Sequence, residues 1–193
     1  MLGLKLPTDP RWVNMAEMSI EEILTDHAYC EQKATSTCIA LIQHYPDKEY
    51  MVEKLVPVVQ EEWAHFRLVL DELKKRNLKL GEQRRDEYVY ELNKFYVKGN
   101  SREVRFQDSL LIAALIEARS CERFRLLSIH ISDEGLKTFY HKLMIAEATH
   151  YRLFLDLAVY YFDKEQVKLR WNEWLDYEAG IMSGWALRGD RMH

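Results

Sequence analysis

EEWAH occupies residues 61–65 and EATH residues 147–150. In each, a glutamate is followed three residues later by a histidine: Glu62 with His65, then Glu147 with His150. Positions i and i+3 share a face of an α-helix, so each pair presents a carboxylate and an imidazole to one metal ion. A lone Glu-x-x-His on a helix is more often a solvated glutamate beside an unrelated histidine. Here the motif occurs twice, each time among apolar and aromatic neighbours: Trp63, Phe66 and Val69 around the first, Ile145, Tyr151 and Phe154 around the second.

Working outward from these stretches, the chain reads as helix after helix. Ser19 followed by Glu22 reads as a capping box, opening a helix that runs to about residue 45. Pro46-Asp47 is a turn, and a second helix covers about 47–76, with Pro57 kinking it or marking its true start. Asn77 and Gly81 bracket a stop. A third helix is predicted over about 82–98, ending at Gly99-Asn100. A fourth covers about 102–130. Ser132-Asp133 opens a fifth, to about 162, and a sixth carries Trp171, Trp174 and Trp185 in the C-terminal region. No convincing strand is found. Four of the helices are about 27–30 residues long, roughly 40 Å each. They pair into two hairpins with tight turns, and the third helix and its loops cross between them. The predicted fold class is all-α: a four-helix bundle with a long crossover and accessory helices, with residues 1–193 as a single domain.

In a tight antiparallel hairpin, residues equidistant from the turn stand level. Glu62 lies about 15 residues after the Pro46-Asp47 turn and Glu31 about 15 before it. Glu147 lies about 15 residues after Ser132, and Glu117 about 15 before it. The local contexts agree, EQKA at Glu31 and EARS at Glu117. Glu122 competes with Glu117, but it falls about five residues, or 7–8 Å, off the level of Glu147. It is left as a surface group or a neighbour of the ligands. The candidate metal ligands are therefore Glu31, Glu62, His65, Glu117, Glu147 and His150. Four carboxylates and two histidines on four facing helices match the di-iron or di-manganese carboxylate pattern. Without cations, four buried glutamates would repel one another, raising their pKa values or opening the site. Oxygen-rich ligation with one imidazole per metal suits iron or manganese better than zinc. His27, four residues before Glu31, is placed to hydrogen-bond a ligand carboxylate, or is a satisfied core or surface histidine. Cys121, four after Glu117, faces the same pocket or is an inert core thiol.

Composition narrows the classes. With 7 Gly and 4 Pro in 193 residues, the chain leans to long helices. It has no run of about 18 apolar residues and no signal pattern, so no membrane partner and a cytoplasmic location are expected. Three cysteines without a CxxC pair argue against a disulfide framework or a cysteine zinc site. HExxH, a glycine-rich nucleotide loop and a nucleophile elbow are absent. Net charge is −4, so any nucleic-acid partner must meet a local basic patch.

HAYCEQKATST at 27–37, EEWAHF at 61–66, IEARSCERF at 116–124 and EATHYRLF at 147–154 resemble the bacterial tRNA-modifying di-iron hydroxylases called MiaE. The opening LGLKLPTDPRW is also similar, and the likeness spans most of the chain. Glu-x-x-His is common to ferritin-like di-iron families, and IEARSCERF is the specific part. The resemblance implies two iron ions per chain on the six residues named, with dioxygen as co-substrate. It implies hydroxylation of the isopentenyl group of 2-methylthio-N6-isopentenyladenosine beside the tRNA anticodon. Electrons would come from an external reductase, since no flavin or iron–sulfur motif is present. The tRNA anticodon stem-loop is then a partner, and the candidate contacts are Lys74, Lys75 and Arg76, together with Arg119 and Arg123 one turn apart on the fourth helix. The competing readings are another ferritin-like di-metal protein, handling iron or peroxide as bacterioferritin or manganese catalase does, and a non-catalytic bundle that binds a partner through its Trp-rich last helix.

Overall fold

The computed structural model describes residues 2–96 and 101–193. Among these, seven α-helices and no strand are found: α1 Arg11–Glu17, α2 Ile20–His44, α3 Glu49–Lys75, α4 Glu87–Phe95, α5 Arg102–His130, α6 Glu134–Tyr161 and α7 Lys164–Ser183. The chain forms two compact units, one of residues 11–85 and 188–192, the other of residues 1–10, 86–187 and 193.

In the first unit, α2 and α3 form an antiparallel hairpin. Its turn lies where Pro46-Asp47 predicts it, between His44 and Glu49. α3 continues unbroken through Pro57. It ends in a Schellman motif: Asn77, at φ 56°, takes the left-handed position, while Leu78 N–H donates to Leu73 O and Asn77 N–H to Lys74 O. The capping box at Ser19 does not form. α1, absent from the sequence reading, runs almost into α2, and Ser19 N–H bonds back to Ala16 O. The tight joint gives Ser19 φ −132° and ψ 41° and no side-chain cap bond.

In the second unit, α5 and α6 form the other long hairpin, and α7 packs on both. Asp133 caps α6 by accepting from Leu136 N–H, and Ser101 caps α5 by accepting from Val104 N–H. α4 is shorter than the sequence predicts. It starts at its cap Asp86, whose side chain accepts from Val89 N–H, rather than at residue 82. The predicted stop at Gly99-Asn100 lies outside the described residues. α5 is the helix on which this unit is built. From Phe106 to Leu127 it is buried at nearly every position, so it has no solvated stripe. α7 closes with Trp174, fully buried, its indole N–H donating to Asp108, which also receives the Arg170 guanidinium. Trp185 lies beyond the end of α7.

Candidate metal centre

Each hairpin carries a buried Glu and a Glu-x-x-His whose Glu is buried, with His150 buried and His65 partly so. In the first unit, Glu31 on α2 and Glu62 on α3 are 3% and 0% exposed. His65 Nδ1 lies 3.4 Å from Glu62 Oε2 and 3.6 Å from Glu31 Oε2. The equal count from the turn thus places both carboxylates at one imidazole. These separations exceed a good hydrogen bond. They match donors sharing one cation, which stand about 3–3.5 Å apart when each bond is ~2.1 Å. Behind Glu31, His27 is fully buried with Nε2 2.5 Å from Glu31 Oε1. Thr35, one turn on, donates its hydroxyl to the Glu31 carbonyl.

In the second unit, Glu117 on α5 and Glu147 and His150 on α6 are buried. His150 Nδ1 stands 3.7 Å from Glu147 Oε2. Each unit therefore offers two carboxylates and an imidazole in a poorly solvated setting, hard donors suited to iron or manganese. Such buried Glu/His clusters are compatible with metal binding. Cys121, one turn after Glu117, is buried and donates its thiol to Met144 O. Burial, reinforced by the charges of Glu147 and Glu122, pushes its pKa up to about 11, so the thiol is neutral at physiological pH.

Two surface expectations need correction. Arg119 is fully buried. Its guanidinium donates to Glu178 on α7 at 2.6 and 2.9 Å, to Thr8 Oγ1 and Leu6 O of the N-terminal segment, and to Glu122. Arg123 is 4% exposed. Neither is at the surface to meet a phosphate, because α5 is the buried helix of its unit. Glu122, left open by the sequence, is a clamp for the N-terminal segment, accepting from Thr8 N–H and Thr8 Oγ1–H. Of the basic run, Lys75 and Arg76 both pair with Glu72, while Lys74 is exposed.

Sequence reasoning missed the buried partners Glu178 and Asp108, which meet Arg119 and Arg170 across 59 and 62 residues. No local pattern signals such a pair. It also missed an open groove of about 580 Å³ along α5 and α6, where Cys121, Met144, Ile145 and Ala148 supply apolar walls and Arg152 a cation. No helix among the described residues is long and apolar enough to cross a membrane.

Comparison with known proteins bears on the family. The family model described as tRNA-(MS[2]IO[6]A)-hydroxylase (MiaE) matches residues 2–193. A tRNA 2-(methylsulfanyl)-N(6)-isopentenyladenosine(37) hydroxylase of Pseudomonas putida is 37% identical over 164 residues, covering 85% of this chain and 78% of that protein. The hydroxylase of the same name from Salmonella typhimurium is 28% identical, covering 80% and 74%. A solved structure, described as Protein 43 with aldehyde deformylating oxygenase activity from Synechococcus, is 34% identical, with a TM-score of 0.92 over 98% of this chain and 94% of that one. The fold is all-α and ferritin-like, and the chain, matched from residue 2 to residue 193, belongs to the MiaE family of tRNA hydroxylases.

Proposed function

We propose that this chain is a di-iron monooxygenase that hydroxylates the isopentenyl side chain of 2-methylthio-N6-isopentenyladenosine next to the anticodon in tRNA. The observation that carries the reading is the match over residues 2–193 to a tRNA hydroxylase family by a chain in which Glu31, Glu62, Glu117, Glu147 and His150 are buried and His65 is largely so. Residues 1–193 work as one ferritin-like domain. Glu31, Glu62, His65, Glu117, Glu147 and His150 hold two irons. When bound, the irons supply activation of dioxygen, one of whose oxygen atoms enters the substrate C–H bond while the other leaves as water, with two electrons and two protons consumed. An external reductase supplies the electrons, and tRNA as substrate places the enzyme in the cytoplasm.

The chain's own residues do the rest. His27 holds one oxygen of Glu31, leaving the other directed at His65. The apolar lining around α5 excludes water, which protects a reactive oxidant from side reactions. Cys121 keeps its proton and is a neutral wall group, not a thiolate ligand.

Nucleoside analysis tests the reading. Total tRNA from cells lacking this protein should hold 2-methylthio-N6-isopentenyladenosine without its hydroxylated form, and complementation should restore that form. Equal amounts in both strains would refute the assignment. A second reading is favoured by one observation, the 34% identity to the Synechococcus protein over nearly its whole length. Under it, the same centre acts on an aldehyde. Purified, iron-loaded protein supplied with a reductant and either substrate decides between them by which product accumulates.

A further inference from the structure

Arg125 on α5 and Arg152 on α6 are exposed, and neither guanidinium has an ion-pair or hydrogen-bond partner among the described residues. In that they differ from Arg119, locked among Glu178, Glu122 and Thr8, and from Arg170, locked on Asp108 and Glu173. An unpaired surface arginine is ordinary. Arg152 is a lining residue of the α5–α6 groove, beside Cys121, Met144, Ile145 and Ala148. Arg125 lies one turn beyond Cys121 on the same face of α5, near enough for its charge to act on the Cys121 thiol. Of the nearby acids, Glu122 is already neutralised by Arg119, and Asp156 alone among the groove-lining residues carries negative charge.

An apolar trough with a free guanidinium on each helix has the chemistry of an unpaired nucleotide turned inside out. The phosphates of a loop are anionic and fork-accepting, and the splayed base between them is flat and apolar. In a chain of net charge −4, attraction to a polyanion must be local, and here it is. We propose that the α5–α6 groove seats the anticodon loop of the tRNA substrate, with Arg125 and Arg152 each gripping a backbone phosphate and the Cys121, Ile145 and Ala148 walls receiving a base. This rests on the tRNA reading above and assigns it a docking site.

The probe is a fluorescein-labelled RNA hairpin of the anticodon stem-loop, and the readout is fluorescence anisotropy against salt with iron-loaded, full-length protein. Each phosphate contact contributes close to one unit to the slope of log affinity against log salt. Arg125→Glu with Arg152→Glu should therefore lower the slope by about 2, so that wild type loses roughly tenfold more affinity than the double variant between 50 and 200 mM salt. Iron content and melting curve should not move. Ala148→Trp, which fills the trough, should weaken binding with the slope unchanged. Arg67→Glu on α3, also exposed and without a partner among the described residues, controls for net charge and should change little. If wild type binds and modifies tRNA but the double variant keeps its slope, or Arg67→Glu does the same damage, the groove is not the docking site. If wild type neither binds nor modifies tRNA, the tRNA reading itself fails and takes this site with it.

Discussion

His27 Nε2 stands 2.5 Å from Glu31 Oε1, one turn along α2, and both side chains are buried. A carboxylate held by one oxygen can turn only the other toward a cation. A hydrogen-bonded neighbour of this kind fixes the ligand's orientation and its basicity. His27→Ala should weaken manganese(II) or iron(II) binding by roughly 10–100-fold. His27→Gln, which keeps a donor near the same place, should recover most of it. Isothermal titration of the apo protein measures both. Equal affinity in wild type and His27→Ala would leave His27 as packing alone.

Glu62 is fully buried and shares the His65 imidazole with Glu31. A buried carboxylate that exists to bind metal is a burden to the metal-free fold. Glu62→Leu should leave the chelated protein as stable as wild type or more so, by roughly 1–3 kcal/mol. Adding metal should then raise the melting temperature of wild type far more than that of the variant. Wild type gains about 2.7 kcal/mol when free metal is a hundredfold above Kd. Destabilisation of the chelated variant would mean that Glu62 is held by structural contacts, not kept for a cation.

The hairpins, and the meeting of Glu31, Glu62 and His65 within one of them, were legible because helix periodicity and tight-turn geometry are local rules. Pro46-Asp47 and Ser132-Asp133 mark real turns, and counting from the first of them leads to Glu31 and Glu62 at one imidazole. What stayed hidden was non-local. Arg119 and Arg123 look like surface cations in sequence, but the burial of α5 on nearly all sides depends on α6, α7 and the N-terminal segment arriving there. Arg125, two residues on, is the exposed one. Lys75 and Arg76 read as a basic patch, although Glu72, on the same helix, claims both. The i, i+3 and i, i+4 spacing made that pairing available from sequence.

Arg119 and Glu178 form an ion pair in which both side chains are fully buried. Burial, with a smaller push from the Glu122 charge, raises the Glu178 pKa against the pull of Arg119 and the hydrogen bonds from Arg119 and Tyr88. Removing one partner strands the other. Arg119→Met should cost roughly 3–5 kcal/mol in denaturant unfolding, whereas Arg119→Met with Glu178→Leu should recover a substantial part. The single variant also deletes the donors to Leu6 O and Thr8 Oγ1, so early proteolytic cleavage within residues 2–10 should accompany it. A double variant as unstable as the sum of the two singles would show that the pair is not coupled.

Cys121 gives a prediction in pH. Its pKa is raised to about 11, first by burial and then by Glu147 and Glu122, with Arg125 acting the other way. A group that holds its proton more tightly when folded contributes stability that is complete below its unfolded value, near 9, and is lost as pH rises through about 11. Stability of the metal-free protein should therefore fall between those values, and less so in Cys121→Ala. At pH 8 the thiolate fraction is about a hundredfold lower than in the unfolded chain, so iodoacetamide should modify Cys121 at least that much more slowly in the native state. Alkylation at comparable rates in native and urea-unfolded protein would contradict the buried, acid-flanked placement of this thiol.

Gly189 closes the first unit from the C-terminal side. A Cβ added there would meet the backbone of Met15, at 2.2 Å from its carbonyl carbon, so no side chain fits while the tail stays seated on α1. The seat holds residues 190–192 in place: Asp190 accepts from Arg84, Asp26 accepts from Arg191 at 2.9 Å and from Met192 N–H at 2.7 Å, and Met192 is fully buried. Asp26 immediately precedes His27, so the tail braces the turn of α2 that positions Glu31. Gly189→Ala must lift the tail and uncover Met192, costing roughly 1–3 kcal/mol. Native-state proteolysis should then release the last residues quickly, and metal affinity should fall in the same direction as in His27→Ala, though by less. Deleting residues 189–193 should reproduce both effects, and Gly189→Ala should add nothing to an Asp26→Asn variant in metal affinity if the two act along one line. A Gly189→Ala protein with wild-type protease resistance would show that the tail does not rest where Met15 blocks a side chain.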